Sequence, residues 1–125
     1  MNAEKENYLY ETYPSLYRQH TLSMEQTCMC WGFECGDGWF DIINNLSQKL
    51  VEIAPTVKAV QVKEKFGGLR FYIGPVDTDK SGLVYNLIDN AENDSFKTCE
   101  YCGTKENVTT EGGWIKTLCK TCRKN

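Results

Sequence analysis

The sequence lacks the segments that place a protein in or across a membrane. None of its hydrophobic runs approaches the length of about 20 apolar residues that a membrane-spanning helix needs. Its first residues, MNAEKENYLY, have neither the basic nor the apolar region of a secretory signal peptide. We therefore expect a cytoplasmic protein without membrane contact. A length of 125 residues suits one domain, or a small domain with a metal-stapled appendage.

The sequence is also poor in the residue sets that carry enzymatic chemistry. Its single histidine, His20, has no evident acidic partner. The sequence contains no Ser/His/Asp set, carboxylate pair or HExxH motif. The backbone amides of Gly67-Gly68, between cationic residues, could hold a phosphate. Nucleotide-binding motifs place such glycines between a strand and a helix, so we interpret this pair as a hairpin turn. The protein is predicted not to be an enzyme.

Cysteine, in contrast, is abundant, with seven in the chain. Without an export signal, this number favours metal or redox chemistry over disulfides. The strongest pattern is two C-x2-C pairs separated by sixteen residues, which suits two tight turns that meet around one tetrahedral ion. A redox dithiol would use only one such pair. Four cysteines leave no open position for catalysis, so we predict one structural Zn2+ bound by Cys99, Cys102, Cys119 and Cys122.

A second cysteine cluster comprises Cys28, Cys30 and Cys35. Together with His20 it could form another metal site, but an extended strand lacks the turn that brings two sulfurs to one ion. We interpret these cysteines as buried free thiols that pack beside aromatic residues. A Cys/His nucleophilic pair is the remaining alternative, because residues distant in sequence can meet in the fold.

The charge of the chain is distributed unevenly. Residues 1–96 carry 8 basic and 14 acidic side chains, whereas residues 97–125 carry 6 basic and 3 acidic ones. Four thiolates on a zinc ion would bring the C-terminal segment close to neutrality. This balance disfavours nucleic acid as a partner, because such binding depends on an excess of cations.

Hydrophobic periodicity predicts helices over residues 3–13, 38–54 and 79–95. Asp37 is the predicted N-cap of the second helix, and Asp77 or Thr78 that of the third. The buried face of the second helix is predicted from Phe40, Ile43, Leu46, Leu50 and Ile53. That of the third is predicted from Leu83, Val84, Leu87, Ile88 and Ala91.

Alternation of apolar and polar residues predicts the strands. Residues 27–33 are expected to form one strand, and residues 57–73 a hairpin with Gly67-Gly68 as its turn. The fold class is therefore α+β, with two helices packed on a small antiparallel sheet. We assign residues 1–96 to this body and residues 97–125 to a C-terminal zinc ribbon packed on it.

Three stretches carry a resemblance: CWGFECGDGWFDII, VQVKEKFGGLRFY and CEYCG followed by GGWIKTLCKTC. Over about residues 28–122 the chain resembles a family of small uncharacterised proteins of bacteria and their phages. In related sequences a serine, here Ser95, similarly leads into the first cysteine pair, and a Gly-Trp precedes the second. The resemblance implies the fold, the metal and a bacterial or phage setting, and it implies no reaction.

The leading functional hypothesis is a non-enzymatic module that binds a protein partner and acts as a regulator. Aromatic and basic side chains dominate contact energies. The predicted binding residues are therefore Trp114, Lys116, Lys120 and Arg123. The alternatives are a nucleic-acid-binding zinc ribbon and an enzyme or ligand-binding protein. The latter would use the region of Cys28, Cys30, Cys35 and Asp37.

Overall fold

The computed structural model describes residues 1–124 as an α+β fold, and the predicted fold class is confirmed at this level. The helices are α1 (Ala3–Thr12), α2 (Phe40–Ile53), α3 (Thr78–Ser95) and α4 (Lys120–Lys124). The strands are β1 (Phe33–Glu34), β2 (Ala59–Lys65), β3 (Gly68–Ile73), β4 (Val108–Glu111) and β5 (Lys116–Cys119). Within residues 1–124, no helix is both long and apolar enough to cross a membrane.

Two small sheets organise the chain. The first has the order β1-β2-β3, and the second is the β4-β5 hairpin. Strands β2 and β3 pair antiparallel, as predicted, but β1 pairs parallel to β2, with Phe33 opposite Val62. The sheet is therefore mixed rather than purely antiparallel, because β1 connects to β2 through α2, and a helical crossover lets two neighbouring strands run parallel.

The core lies between α1, α2, α3 and one face of the first sheet. Its largest fully buried side chains include Trp39, Tyr17 and Phe33. The predicted stripe of α2 is buried at Ile43, Leu46 and Leu50. On α3 the buried residues are Val84, Ile88, Ala91 and Ser95, whereas the predicted core residue Leu83 is 59% exposed. Leu83 lies about 100° around the helix from Val84, outside the narrow face that packs.

The prediction of a strand over residues 27–33 is wrong. Met29–Trp31 form a short 3-10 turn, and only Phe33 and Glu34 enter the sheet. The side chain of Thr27 accepts a hydrogen bond from the amide of Met29 at 3.0 Å, which offers the backbone a local alternative to strand pairing. As a result Met29 and Phe33 are buried, whereas Trp31, which the alternation of a strand would place on the same face, is 60% exposed.

The predicted capping role of Asp37 is also wrong. Asp37–Trp39 form a 3-10 turn, and α2 begins only at Phe40 without a side-chain cap. The carboxylate of Asp37 instead accepts hydrogen bonds from the backbone amide and side-chain amide of Asn2, at 2.7 and 3.0 Å. Asn2 in turn caps α1 by accepting from the amide of Lys5. Asp37 therefore links the start of α1 to the turn that precedes α2.

Asp77 is at the predicted N-cap position of α3, but its side chain makes no capping hydrogen bond.

The hairpin of β2 and β3 is confirmed, but its turn is one residue earlier than predicted. Lys65 pairs with Gly68, so Phe66 and Gly67 form the two-residue turn, with φ of 53° and 85°. A turn with two positive φ angles matches the right-handed twist of the strands. Gly68 belongs to β3, where a Cβ atom would overlap the ring of Phe96. Glycine is needed at position 68 for close packing rather than for a turn angle.

We expect Gly68→Ala to lower the free energy of unfolding by about 1–3 kcal/mol, the usual cost of overpacking. Gly82→Ala is the matched control, because a Cβ at position 82 of α3 meets nothing within 4 Å. Alanine there should stabilise by about 0.5–1 kcal/mol through helix propensity. Urea unfolding at equal metal content measures both variants. Equal stability of Gly68→Ala and the parent would contradict the packing of Phe96 on β3.

Candidate metal centre

The first cysteine pair lies on a tight turn directly after α3. The turn is closed by hydrogen bonds from the amide of Gly103 to the carbonyl of Cys99, at 2.9 Å, and from the amide of Cys99 to the carbonyl of Thr104, at 2.8 Å. Gly103 has a φ of 81°, a left-handed conformation that glycine adopts without strain. This geometry turns the side chains of Cys99 and Cys102 toward one point.

The second pair lies where β5 passes into α4. Cys119 is the last residue of β5, and Cys122 lies one turn into the helix. The amide of Cys122 donates a hydrogen bond to Sγ of Cys119 at 3.3 Å. Strand β4 pairs with β5 from Val108 opposite Cys119 to Glu111 opposite Lys116. This hairpin brings the second cysteine pair next to the first.

The four predicted ligands converge. Their Sγ atoms all lie within 4.8 Å of one another, and Sγ of Cys102 is 3.7 Å from Sγ of Cys119. A tetrahedral ion with metal–sulfur bonds of about 2.3 Å requires sulfurs about 3.8 Å apart. The donor set therefore fits one metal ion. Cys99 and Cys119 are buried, and Cys102 is exposed at the edge of the site.

Local hydrogen bonds prepare the thiols for a cation. Burial raises the pKa of Cys99, but hydrogen bonds from the backbone of Cys102, Cys119 and Tyr101 together outweigh it and lower that pKa to about 6. Hydrogen bonds with the Cys119 and Cys99 sulfurs, with a smaller contribution from burial, raise the pKa of Cys122 to about 12. Without metal, one thiolate is stabilised at neutral pH while a neighbouring thiol keeps its proton. A metal ion bound here would replace that proton.

Glu100, between the first two cysteines, joins the metal centre to the rest of the fold. It is 3% exposed. Its carbonyl accepts the amide of Gly38 at 2.7 Å, and its carboxylate accepts the amide of Gly36 at 2.9 Å. Lys116 of β5 lies 3.4 Å from this carboxylate and 3.5 Å from that of Glu64 in β2. Burial lowers the pKa of Lys116, but the two carboxylates outweigh it and raise that pKa above its ordinary value.

Two further hydrogen bonds tie the C-terminal segment to the body. The indole Nε1 of Trp39 donates to the carbonyl of Thr98 at 2.9 Å. The hydroxyl of Thr117, fully buried in β5, donates to the carbonyl of Gly67 at 2.5 Å. The metal centre is therefore anchored at the start of α2 and at the tip of the β2-β3 hairpin.

The predicted binding residues have different surroundings. Trp114, in the β4-β5 turn, is 82% exposed, and Lys120 is exposed at the start of α4. Lys116 is held by its two carboxylates. Arg123 donates hydrogen bonds to the carbonyls of Thr109, Glu111 and Lys116, so its guanidinium joins α4 to both strands of the hairpin.

The second cysteine cluster does not assemble into a ligand set. Among residues 1–124, the cysteines at 99, 102, 119 and 122 form the one group of three or more potential metal ligands. The predicted burial is confirmed for Cys35, but Cys30 is only half-buried and Cys28 is exposed. Burial raises the pKa of Cys35 to about 12. The imidazole of His20 stacks on the ring of Tyr10, with centroids 3.8 Å apart.

Sequence reasoning missed Glu100 and Phe66. An acidic residue between two cysteines carries no signal of burial, since its partners come from distant parts of the chain. Phe66 precedes two glycines, so the pattern favoured the glycines as the turn.

No family model, curated protein or solved structure matches the chain. The resemblance to small bacterial and phage proteins therefore stays a prediction.

We expect the affinity for a divalent metal ion to fall as the pH is lowered. Cys122, with a pKa of about 12, must lose a proton on binding, and Cys99, with a pKa of about 6, becomes protonated as well below that pH. The apparent association constant should fall about tenfold per pH unit for each displaced proton. Competition with a chelator between about pH 8 and about pH 5.5 measures this slope. A flat profile would contradict thiol ligation.

Proposed function

We propose that the chain is a zinc-ribbon protein in which the four C-terminal cysteines bind one structural Zn2+. Four convergent thiolates favour a soft ion in tetrahedral geometry, for which zinc and iron are the candidates. Zinc has no redox chemistry, and a complete set of four protein ligands leaves no position for water or substrate. The metal then contributes to folding, on the order of 10 kcal/mol in small zinc domains.

The test compares two exposed cysteines. Cys102→Ser removes a ligand, whereas Cys28→Ser changes a cysteine outside the cluster. Elemental analysis should give about one zinc per chain for the parent and for Cys28→Ser. Cys102→Ser should lose zinc, and hydrogen exchange should show that residues 97–124 lose protection. One iron per chain, or zinc retained by Cys102→Ser, would contradict the assignment.

We further propose a non-enzymatic function: the chain is a cytoplasmic module that binds a protein partner as a regulator. The observation that carries this proposal is Trp114, an indole 82% exposed at the tip of the β4-β5 hairpin. Its hairpin is held by the metal centre, by Arg123 and by the bond from Thr117 to Gly67. A large exposed aromatic on a rigid element is typical of an interface hot spot. The bacterial or phage setting implied by the resemblance is consistent with such a regulator.

The nucleic-acid alternative is weaker. Of the predicted cations, Lys116 pairs with Glu64 and Glu100, and Arg123 lies 3.9 Å from the carboxylate of Glu111. Charges engaged in this way contribute little to phosphate binding, which requires several free cations. Absence of binding to DNA and RNA at low salt is the expected result.

The enzyme alternative also has little support. Cys35 is buried, and the carboxylate of Asp37 is hydrogen-bonded to Asn2. Cys28 faces a hollow beside Met24 and Tyr72, while Asp37 faces another beside Cys102. A nucleophile and a base need hydrogen-bond proximity, which these residues do not have.

Photo-crosslinking tests the protein-binding proposal. A photoreactive amino acid replaces Trp114 in one variant and Leu83 in the control, because Leu83 is an exposed apolar residue on α3, 59% accessible. Position 114 should yield a discrete crosslinked protein in bacterial cytoplasm, and position 83 should not. Zinc content and melting temperature of both variants must match the parent. Equal crosslinking from both positions would contradict a specific surface at Trp114.

A further inference from the structure

Phe66 is unfavourable for stability in two respects, its backbone conformation and its exposure. It is a bulky residue at a φ of 53°, in a turn where asparagine and glycine are preferred. It is also 65% exposed, so its ring gains little from burial. Residues in strained conformations are held in place by the surrounding structure, and they cluster at functional sites.

Phe66 lies beside Trp114, the exposed aromatic residue of the β4-β5 turn. Together with Glu64, Gly113, Trp114 and Ile115 it lines a hollow of about 270 Å3 between the β2-β3 and β4-β5 hairpins. We name these five residues the tip surface. Its three large apolar side chains are 65%, 82% and 40% exposed at positions 66, 114 and 115. The hollow has room for one apolar side chain.

The exposed charge beside the tip surface is positive. The carboxylate of Glu64 accepts the amide of Gly67 at 2.8 Å and shares Lys116 with Glu100, at 3.5 and 3.4 Å. The side chains of Glu64 and Glu100 are only 15% and 3% exposed, so a ligand reaches little of their negative charge. Lys65 has its Nζ 5.7 Å from the centroid of the Phe66 ring and takes part in none of the ion pairs among residues 1–124. A chain of net charge −3 therefore presents a cation beside its apolar hollow.

We infer that the tip surface docks a protein segment in which an aromatic or aliphatic side chain is followed or preceded by a carboxylate. The apolar side chain enters the hollow between Phe66 and Trp114, and the carboxylate contacts Lys65. This inference rests on the proposed protein-binding function and specifies its partner. A bilayer is a poorer match, because stable electrostatic attachment takes several cations and the chain is acidic overall.

The two hairpins are held together as one surface. The hydroxyl of Thr117 bonds the carbonyl of Gly67 within the β2-β3 turn, and Lys116 bridges to Glu64. Both Thr117 and Lys116 belong to β5, the strand that delivers Cys119 to the metal centre. Metal binding and the shape of the tip surface therefore depend on the same strand.

The experiment selects random displayed peptides on the zinc-loaded protein and measures the affinity of the enriched peptides by fluorescence anisotropy. We expect enriched peptides to combine an aromatic or aliphatic residue with a neighbouring Asp or Glu. Phe66→Asn should weaken them tenfold or more while raising the melting temperature, since asparagine suits the positive φ. Lys65→Glu should weaken them several-fold. The control Leu83→Ala should bind like the parent.

Each other outcome overturns the inference. In the selection, these outcomes are the absence of any enriched peptide and the enrichment of basic peptides. In the binding measurements, they are parent-like affinity of Phe66→Asn, binding of the protein to vesicles of equal parts phosphatidylcholine and phosphatidylserine, and self-association of the protein through Phe66. If Trp114→Ala abolishes peptide binding while Phe66→Asn and Lys65→Glu do not, the protein-binding proposal stands and the inference about the tip surface is wrong. If none of the three variants loses binding, both proposals fail. Matching zinc content in all variants excludes loss of fold as the cause.

Discussion

The carboxylate of Glu100 is buried at the junction of the metal centre and the body, and a buried charge is stable only when it is paired and hydrogen-bonded. Its partners come from both sides: the amide of Gly36 precedes α2, and Lys116 belongs to β5. Separating the two parts would leave this charge unpaired. Because Glu100 lies between Cys99 and Cys102, the same turn that presents two of the four convergent cysteines also fixes the segment to the fold.

The C-terminal segment depends on these interactions because its apolar core is small. Its buried apolar cluster consists of Cys99, Leu118 and Cys119, and two of these three residues belong to the cluster of four cysteines. So small a cluster offers too little buried area to offset the entropy of ordering about thirty residues. The Glu100 network and the bond from Thr117 to Gly67 replace part of the missing core, and the proposed metal ion would supply the rest.

A rigid junction has a consequence at the opposite end of the hairpins. Strand β5 is held at Lys116 by the carboxylates of Glu64 and Glu100 and at Thr117 by the carbonyl of Gly67, so the β4-β5 turn projects from a fixed base. The β2-β3 turn projects beside it. Exposed aromatic side chains on such turns lose little conformational freedom on binding, which makes pre-organised tips effective contact surfaces. The strain at Phe66 is supported by the strands on either side of it.

Local patterns in the sequence were sufficient for the cluster of four C-terminal cysteines and for the three longer helices, α1, α2 and α3. Two C-x2-C pairs identify their own turns, and the apolar spacing of α2 predicts its buried face because both depend on residues close together in the chain. Tertiary contacts decided the rest. The carboxylate of Asp37 bonds Asn2 rather than the start of α2, and Thr27 turns its segment away from strand pairing. The burial of Glu100 depends on partners far away in sequence, which no local spacing encodes.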